Sequence, residues 1–311
     1  MDPHTTNPRI PETAAAPILP RDANEFIQQQ LDERLRTIER EFTAHAISLF
    51  GPLYSGVDDL IRTAIEKRHS ESPARRKLVV ILTTTGGYIE VVQRIVAVFR
   101  AHYGLVDFIV PNYAFSAGTV LAMSGDAIYM DYYSTLGPID PQVENTKGRH
   151  VPALGYLERY NELMDKAAIP GALNMAELQI LLTFDQGELY QFDQAREQSV
   201  ELLKEWLVKY KFKNWKKTET RKAKVTKQMK MARAETIART LNDTKKWHVH
   251  GNGISMDVLS KDLKLLINDF GGDENTSGII RAYNDLLTDY VTKILIKGGV
   301  VHVNGQFQPF A

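Results

Sequence analysis

Apolar and polar positions along the first half of the chain follow the pattern of strands that alternate with helices. Short apolar runs predict four buried strands, at 45–50, 77–82, 105–110 and 127–130. Apolar side chains at helical spacing predict four helices in the same region, at 24–42, 57–67, 89–103 and 117–124. This alternation favours an α/β fold with a largely parallel sheet flanked by helices.

The second half of the chain has a different pattern. Residues 173–246 are predicted to be almost wholly helical, including a basic helix over 204–233, and the tail predicts an amphipathic helix, a Gly-Gly turn and one terminal strand. We therefore expect four parts. They are a disordered arm (1–22), an N-terminal helix (23–43), a core (44–172) and a mainly helical extension (173–311) whose C-terminal part completes the core.

Composition narrows the possible functions. The chain has 311 residues, 38 basic and 38 acidic, so its zero net charge does not point to nucleic acid or to an anionic membrane. It contains no cysteine, which excludes disulfides and thiolate chemistry and suits a reducing compartment. No signal peptide or long apolar run is apparent, so we expect a cytoplasmic protein without a membrane span. The basic stretch 204–233 is interpreted as a solvated or subunit-facing surface.

Two strand-to-helix turns carry the candidate chemistry. The first contains Gly86-Gly87, and the second presents Ser116, which is followed by Ala117-Gly118-Thr119. A serine at such a turn exposes its hydroxyl, and nearby backbone N–H groups can hold an oxyanion, as acyl transfer requires. The simpler alternatives are that Ser116 is a helix N-cap and that the glycines serve a tight turn.

Four segments in order carry a family resemblance: HAISLFGPLYSGVDDLIRTAIEK (45–67), TTTGG (83–87), FSAGTVLAMSGDAIYM (115–130) and YSTLGPIDPQ (133–142). They resemble the Clp-protease-like (crotonase) superfamily and, within it, most resemble the serine dehydrogenase proteinase family, which is related to signal peptide peptidase A. A weaker likeness at HVHGNGISMDVL (248–259) extends the resemblance to about residues 40–270.

The resemblance implies an ATP-independent serine peptidase that cleaves extended or unfolded peptide segments through an acyl-enzyme on Ser116. The N–H groups of Gly87 and Ala117 would form the oxyanion hole, and Gly86 and Gly87 would bind the substrate backbone. Neither cofactor nor metal is expected, and such folds assemble into homo-oligomers.

The general base is less well determined. Clp proteolytic subunits carry a histidine on the loop after the serine, but STLGPIDPQV here has none. By resemblance to the Ser–Lys dyad of signal peptide peptidase A, Lys166 is the leading candidate, with Lys147 and His150 as alternatives. Lysine acts as a base when burial or nearby positive charge lowers its pKa. Asp140 is expected to orient or cap.

Two further interpretations stay open. His248 and His250 have no third ligand placed to complete a metal site, so they are interpreted as surface or packing residues. A chain that kept the fold and lost its base would be a scaffold or interaction protein, whereas a crotonase-like acyl-CoA enzyme would not need Ser116.

Overall fold

The structure, a computed structural model, describes residues 21–139, 142–144, 150–218, 220–247, 253–294 and 297–311. The arm expected at 1–22 lies almost wholly outside these ranges. The strands are β1 His45–Phe50, β2 Lys77–Thr83, β3 Leu105–Ile109, β4 Tyr113–Ala114, β5 Ala127–Met130, β6 Thr135–Leu136, β7 Gln142–Glu144, β8 His150–Pro152, β9 Ile254–Ser255, β10 Asn268–Asp269, β11 Gly299–Val303 and β12 Gln306–Phe310.

The helices surround these strands. They are α1 Ala23–Glu41, α2 Val57–Glu71, α3 Ile89–His102, α4 Ala117–Met123, α5 Ala153–Ala167, α6 Met175–Leu181, α7 Gln186–Trp206, α8 Lys227–Leu241, α9 Thr244–Trp247, α10 Met256–Lys261 and α11 Glu274–Lys293. A π-helical turn, Leu207–Lys211, continues α7.

The main sheet has seven strands in the order β10-β5-β3-β2-β1-β11-β12. The five strands from β10 to β1 run parallel, and β11 and β12 join antiparallel. Parallel strands buried on both faces read as continuous apolar runs, which explains the pattern of LVVIL at 78–82. The sheet confirms the predicted α/β class with a parallel-rich sheet.

Successive side chains of β2 enter two separate cores. Val80 and Leu82 pack in a cluster with apolar residues of α2, α3, α4, α7 and α8. Val79 and Ile81 pack in a second cluster with residues of α1 and α11. Because neighbouring residues of a strand point to opposite faces, helices cover both sides of the sheet.

The basic stretch 204–233 is not one helix, so that prediction is wrong. α7 ends at Trp206, the π-helical turn follows, and α8 begins only at Lys227, where the Thr226 hydroxyl caps the N–H of Met229. The intervening KNWKKTETRKAKVT has no apolar stripe that a helix could bury.

The C-terminal tail holds two strands, where the sequence pattern indicated one. β11 and β12 form a hairpin around Asn304-Gly305, and Gly305 has a φ of 77°. Asn-Gly between apolar runs is a strong signal for such a hairpin. Within the described residues, no helix is long and apolar enough to cross a membrane.

Candidate active site

Ser116 lies in a strained turn between β4 and α4. Its φ and ψ are 52° and −121°, a region that L-residues rarely occupy and that costs on the order of 1–3 kcal/mol. The turn is held against the end of β2, because the Thr84 N–H donates to the carbonyl of Tyr113 and the Phe115 N–H donates to the carbonyl of Thr84.

The hydroxyl of Ser116 is available for chemistry. Ser116 occupies the N-cap position of α4, as the simpler alternative expected, but its side chain makes no capping hydrogen bond. No described residue forms a hydrogen bond with this hydroxyl, although only 8% of the residue is exposed. Ser116 lines an open space beside the turn, and a strained backbone of this kind is typical of a functional position.

Gly86 and Gly87 are required because neighbouring backbone approaches them too closely for a side chain. A Cβ on Gly86 would lie 2.8 Å from the Cβ of Ser116 and 2.7 Å from the Phe115 carbonyl oxygen. A Cβ on Gly87 would lie 2.3 Å from the carbonyl oxygen of Leu53. Only glycine fits at either position, so the first strand-to-helix turn abuts the serine.

The backbone of this turn leaves N–H groups free beside the serine. The N–H of Leu53 donates to the carbonyl of Gly86 (2.8 Å), and the carbonyl of Leu53 accepts from the N–H of Tyr88 (2.9 Å). In such a parallel bridge the N–H and carbonyl of Gly87 point away from Leu53. Neither the Gly87 N–H nor the Ala117 N–H donates to an acceptor among the described residues. Both are therefore available to an oxyanion.

A cavity of about 140 Å³ adjoins the serine. The first turn of α3 and the start of α4 form two of its walls, and α7 forms a third with Ala195 and Ser199. The sequence pattern did not predict this third wall. Two small residues about eighty positions downstream of the serine carry no local signal of a site.

A threonine on α4 fixes the loop that follows the serine helix. The Thr119 hydroxyl lies 2.8 Å from the carbonyl oxygens of Ala114 and Gly137 and accepts from the Gly137 N–H at 3.0 Å. The loop then places Ile139 in the cavity wall, and the Ile139 N–H donates to the carbonyl of Leu241 on α8. Ile139, the last residue of the LGPI segment, therefore lines the cavity.

Lys166 does not line the serine cavity. It lies in the last turn of α5, where its Nζ is 2.6 Å from Oε1 of Glu177 on the neighbouring α6. Half of its side chain is exposed (51%), and its hydrogen bond lowers the pKa of Glu177. The lysine is thus held by a carboxylate at a half-exposed helix end, outside the cavity beside Ser116.

The other sequence-based candidates lie at or beyond the edge of the described residues. Lys147, Asp140, His248 and His250 fall outside them, and His150 begins β8 with no description of its side chain. Among the described residues that line the cavity, the titratable side chains are Tyr88 and Glu90. In the same part of the chain, no cluster of His, Cys, Asp or Glu could hold a metal ion.

Comparison with known proteins adds a family match. The model of a family described as ClpP-like SDH-type serine proteinase matches residues 30–236, more than half of the chain. Two uncharacterized proteins of Methanocaldococcus jannaschii are similar over shorter stretches. MJ0137 is 34% identical over 99 residues, 32% of this chain and 35% of that protein. MJ1495 is 31% identical over 97 residues, 31% of this chain and 32% of that protein. The chain thus spans about a third of the length of these relatives.

Two solved structures are also similar. One is a mutant of the 1510-N membrane-bound stomatin-specific protease, with a TM-score of 0.42 and 14% identity over 78% of this chain and 81% of that chain. The other is a second mutant of that protease in complex with a substrate peptide, with a TM-score of 0.43 and 16% identity over 85% and 84% of the two chains.

Proposed function

Because the chain belongs to the family of ClpP-like SDH-type serine proteinases, we propose that it is an ATP-independent serine endopeptidase whose nucleophile is Ser116. This membership agrees with the family resemblance of the sequence. The observation that carries the proposal is a strained turn at which neither the Ser116 hydroxyl nor the N–H groups of Gly87 and Ala117 form a hydrogen bond with any described residue. A nucleophile next to two preorganised donors is the arrangement that acyl transfer needs.

In the proposed reaction the Ser116 Oγ attacks the carbonyl carbon of the scissile peptide bond and gives its proton to a base. The carbonyl oxygen becomes an oxyanion, which accepts hydrogen bonds from the N–H groups of Gly87 and Ala117. The C–N bond then breaks, the amine leaves with a proton from the base, and an ester remains on Ser116. Water hydrolyses that ester and restores the serine.

The substrate is proposed to be an extended segment of peptide. The N–H and carbonyl of Gly87 face away from Leu53, so they can pair with a substrate strand laid along this edge. The cavity of about 140 Å³ has room for a single side chain next to the scissile bond. Folded segments would not fit this geometry, which favours unfolded or extended substrates.

For the proton acceptor, a Ser–Lys dyad with Lys166 remains our first proposal. Lys166 can accept the proton only once its ammonium has given up a proton and its amine has left Glu177 and reached Ser116, because an ammonium has no free lone pair. Lys166→Ala is then expected to abolish acylation, and Glu177→Gln is expected to preserve or increase it. If Lys166→Ala acylates normally, the base is elsewhere, and Lys147→Ala and His150→Ala become the variants to compare.

Hydrolysis of fluorogenic peptides and of unfolded casein, without ATP, tests the proposal. The wild type is expected to cleave both, and Ser116→Ala is expected to fall to background. A folded wild type that is inert towards both would favour the scaffold reading. Binding of an acyl-CoA that is unchanged in Ser116→Ala would favour acyl-CoA chemistry instead.

A further inference from the structure

A second cavity, of about 500 Å³, lies at the other end of the main sheet. It is bounded by α1, the first residue of β1, the end of α2 and the turn between β11 and β12. Ser116 lies at the carboxyl end of the parallel strands, and this cavity lies at their amino end. The six residues of β1 therefore separate the two sites by roughly 16 Å.

Arginine is the commonest residue in the wall of this cavity, which is lined by Arg36, Arg40, Arg68 and Arg75. Two carboxylates, those of Glu33 and Glu39, also line it. Four guanidinium groups against two carboxylates leave two positive charges in excess. The mutual repulsion of these guanidinium groups destabilises the folded chain unless a bound anion offsets it.

One of the four arginines is accounted for by the protein itself. Arg68 forms a largely buried ion pair with Glu39, with an Nη2–Oε2 distance of 2.8 Å, and a second pair with Glu71 at 3.1 Å. This bidentate geometry orients Arg68 and neutralises it. Arg68 is therefore a structural element of the wall.

The other three arginines bind only neutral oxygens among the described residues. Arg75 donates to the carbonyl of Ala44 at 2.7 Å, Arg36 to Oδ1 of Asn304 at 2.9 Å, and Arg40 to Oγ1 of Thr37 at 2.9 Å. No ion pair joins any of them to a carboxylate of the described chain.

One carboxylate lies near these arginines without forming an ion pair with them. Asp32 interacts electrostatically with Arg36, while its Oδ1 binds His302 and the N–H of Gly305. Arg36 and Arg40 are also four residues apart on α1, where like charges repel. The three arginines are thus oriented by hydrogen bonds to neutral oxygens, with Arg36 and Arg40 exposed at the mouth of the cavity and Arg75 partly buried.

A buried histidine forms part of the same wall. His45 is fully buried, its Nδ1 lies 2.8 Å from the Tyr103 hydroxyl, and its Nε2 has no partner among the described residues. Burial, with the positive charges of Arg68 and Arg75, lowers the pKa of His45 to about 4. The ring is therefore neutral near pH 7, and its pKa will rise when a negative charge enters the cavity.

We propose that this cavity binds a small ligand through a doubly charged oxyanion, either a phosphate or a dicarboxylate, held by Arg36, Arg40 and Arg75. Guanidinium groups present planar pairs of N–H donors that match the oxygens of both anions. The three arginines without an ion pair, the orientation of Arg75 by the Ala44 carbonyl and an open cavity of about 500 Å³ are the features that such a ligand requires. The site is independent of the peptidase function.

Isothermal titration with inorganic phosphate and with succinate, at constant ionic strength, tests the site in the full chain. We expect saturable binding of one ion per chain by the wild type. Arg75→Gln and the double variant Arg36→Gln/Arg40→Gln should each bind at least about tenfold more weakly. Tighter binding of phosphate or of succinate identifies the ligand class. The matched control is Arg34→Gln, which changes an arginine on α1 that does not line the cavity.

A second readout uses the wild type alone and does not depend on any variant folding. The NMR titration of the His45 ring should move to higher pH with saturating sulfate, an oxyanion that stays doubly charged at the acid pH where this ring titrates. Absence of saturable binding of either ion would overturn the proposal. So would an equal loss of affinity in Arg34→Gln, or an unchanged titration of His45 at saturation.

Discussion

The strained backbone at Ser116 predicts that alanine and glycine substitutions there differ in folding stability. Both substitutions remove the proposed nucleophile, and neither breaks a hydrogen bond, since the hydroxyl forms none with the described residues. Ser116→Ala keeps a Cβ at a φ of 52°, whereas Ser116→Gly removes it. The two variants therefore isolate the cost of the strained turn.

The magnitude follows from two opposing terms. Relief of the backbone strain is worth about 1–3 kcal/mol. Glycine costs about 0.5–1 kcal/mol relative to alanine, because it loses more backbone freedom on folding. Ser116→Gly is therefore expected to be more stable than Ser116→Ala by about 0–2.5 kcal/mol.

The assay is urea unfolding of both variants, followed by circular dichroism, with the two free energies extrapolated to water. Ser124 supplies a matched control, since it ends the same helix at an ordinary φ of −75°. There the order should reverse, with Ser124→Gly less stable than Ser124→Ala. If the glycine variant is the less stable one at both positions, the turn at Ser116 is not strained and the prediction is wrong.

Three further predictions concern packing and titration. A Cβ in Gly118→Ala would lie 2.3 Å from the Thr84 Cγ2, so we expect the unfolding free energy to fall by about 1–3 kcal/mol. Adding Thr84→Ser, which removes that methyl group, should largely restore it. Additive effects of the two substitutions would contradict this prediction. The unfolding free energy should fall by up to about 3 kcal/mol between pH 6.5 and pH 4, because the pKa of His45 is about 4 in the folded chain and the unfolded histidine takes up its proton first. His45→Gln should flatten that decline, and parallel pH curves for the two proteins would refute the assignment. Burial lowers the pKa of Lys211 to about 8, so Lys211→Met should raise the unfolding free energy at pH 7 by on the order of 1 kcal/mol. The gain should shrink at pH 10, where the folded chain holds this lysine neutral. An equal gain at both pH values would contradict this prediction.

The sequence predicted the features that depend on local pattern and on strand polarity. Strands at His45–Phe50 and Ala127–Met130 have the predicted bounds, because buried parallel strands leave uninterrupted apolar runs. The closeness of Gly86 and Ser116 also follows, since the carboxyl ends of neighbouring parallel strands meet at one edge.

The remaining features depend on contacts between distant parts of the chain. Ala195 and Ser199 line the cavity because of how α7 docks on the core, and two small residues on a helix give no sequence pattern that predicts such a contact. The pairing of Lys166 with Glu177 depends on how α5 packs on α6, which spacing alone could not predict. The hairpin at Asn304-Gly305, by contrast, depends only on local sequence, because Asn-Gly between two apolar runs favours a two-residue turn.

Reaction with a fluorophosphonate probe, followed by intact mass and peptide mapping, tests the central claim most directly. The probe needs only an activated serine and an oxyanion hole, so it does not depend on knowing the substrate. We predict one adduct per chain in the folded wild type, located on Ser116, and none in Ser116→Ala. A folded wild type without an adduct, or an adduct that persists in Ser116→Ala, would contradict the account.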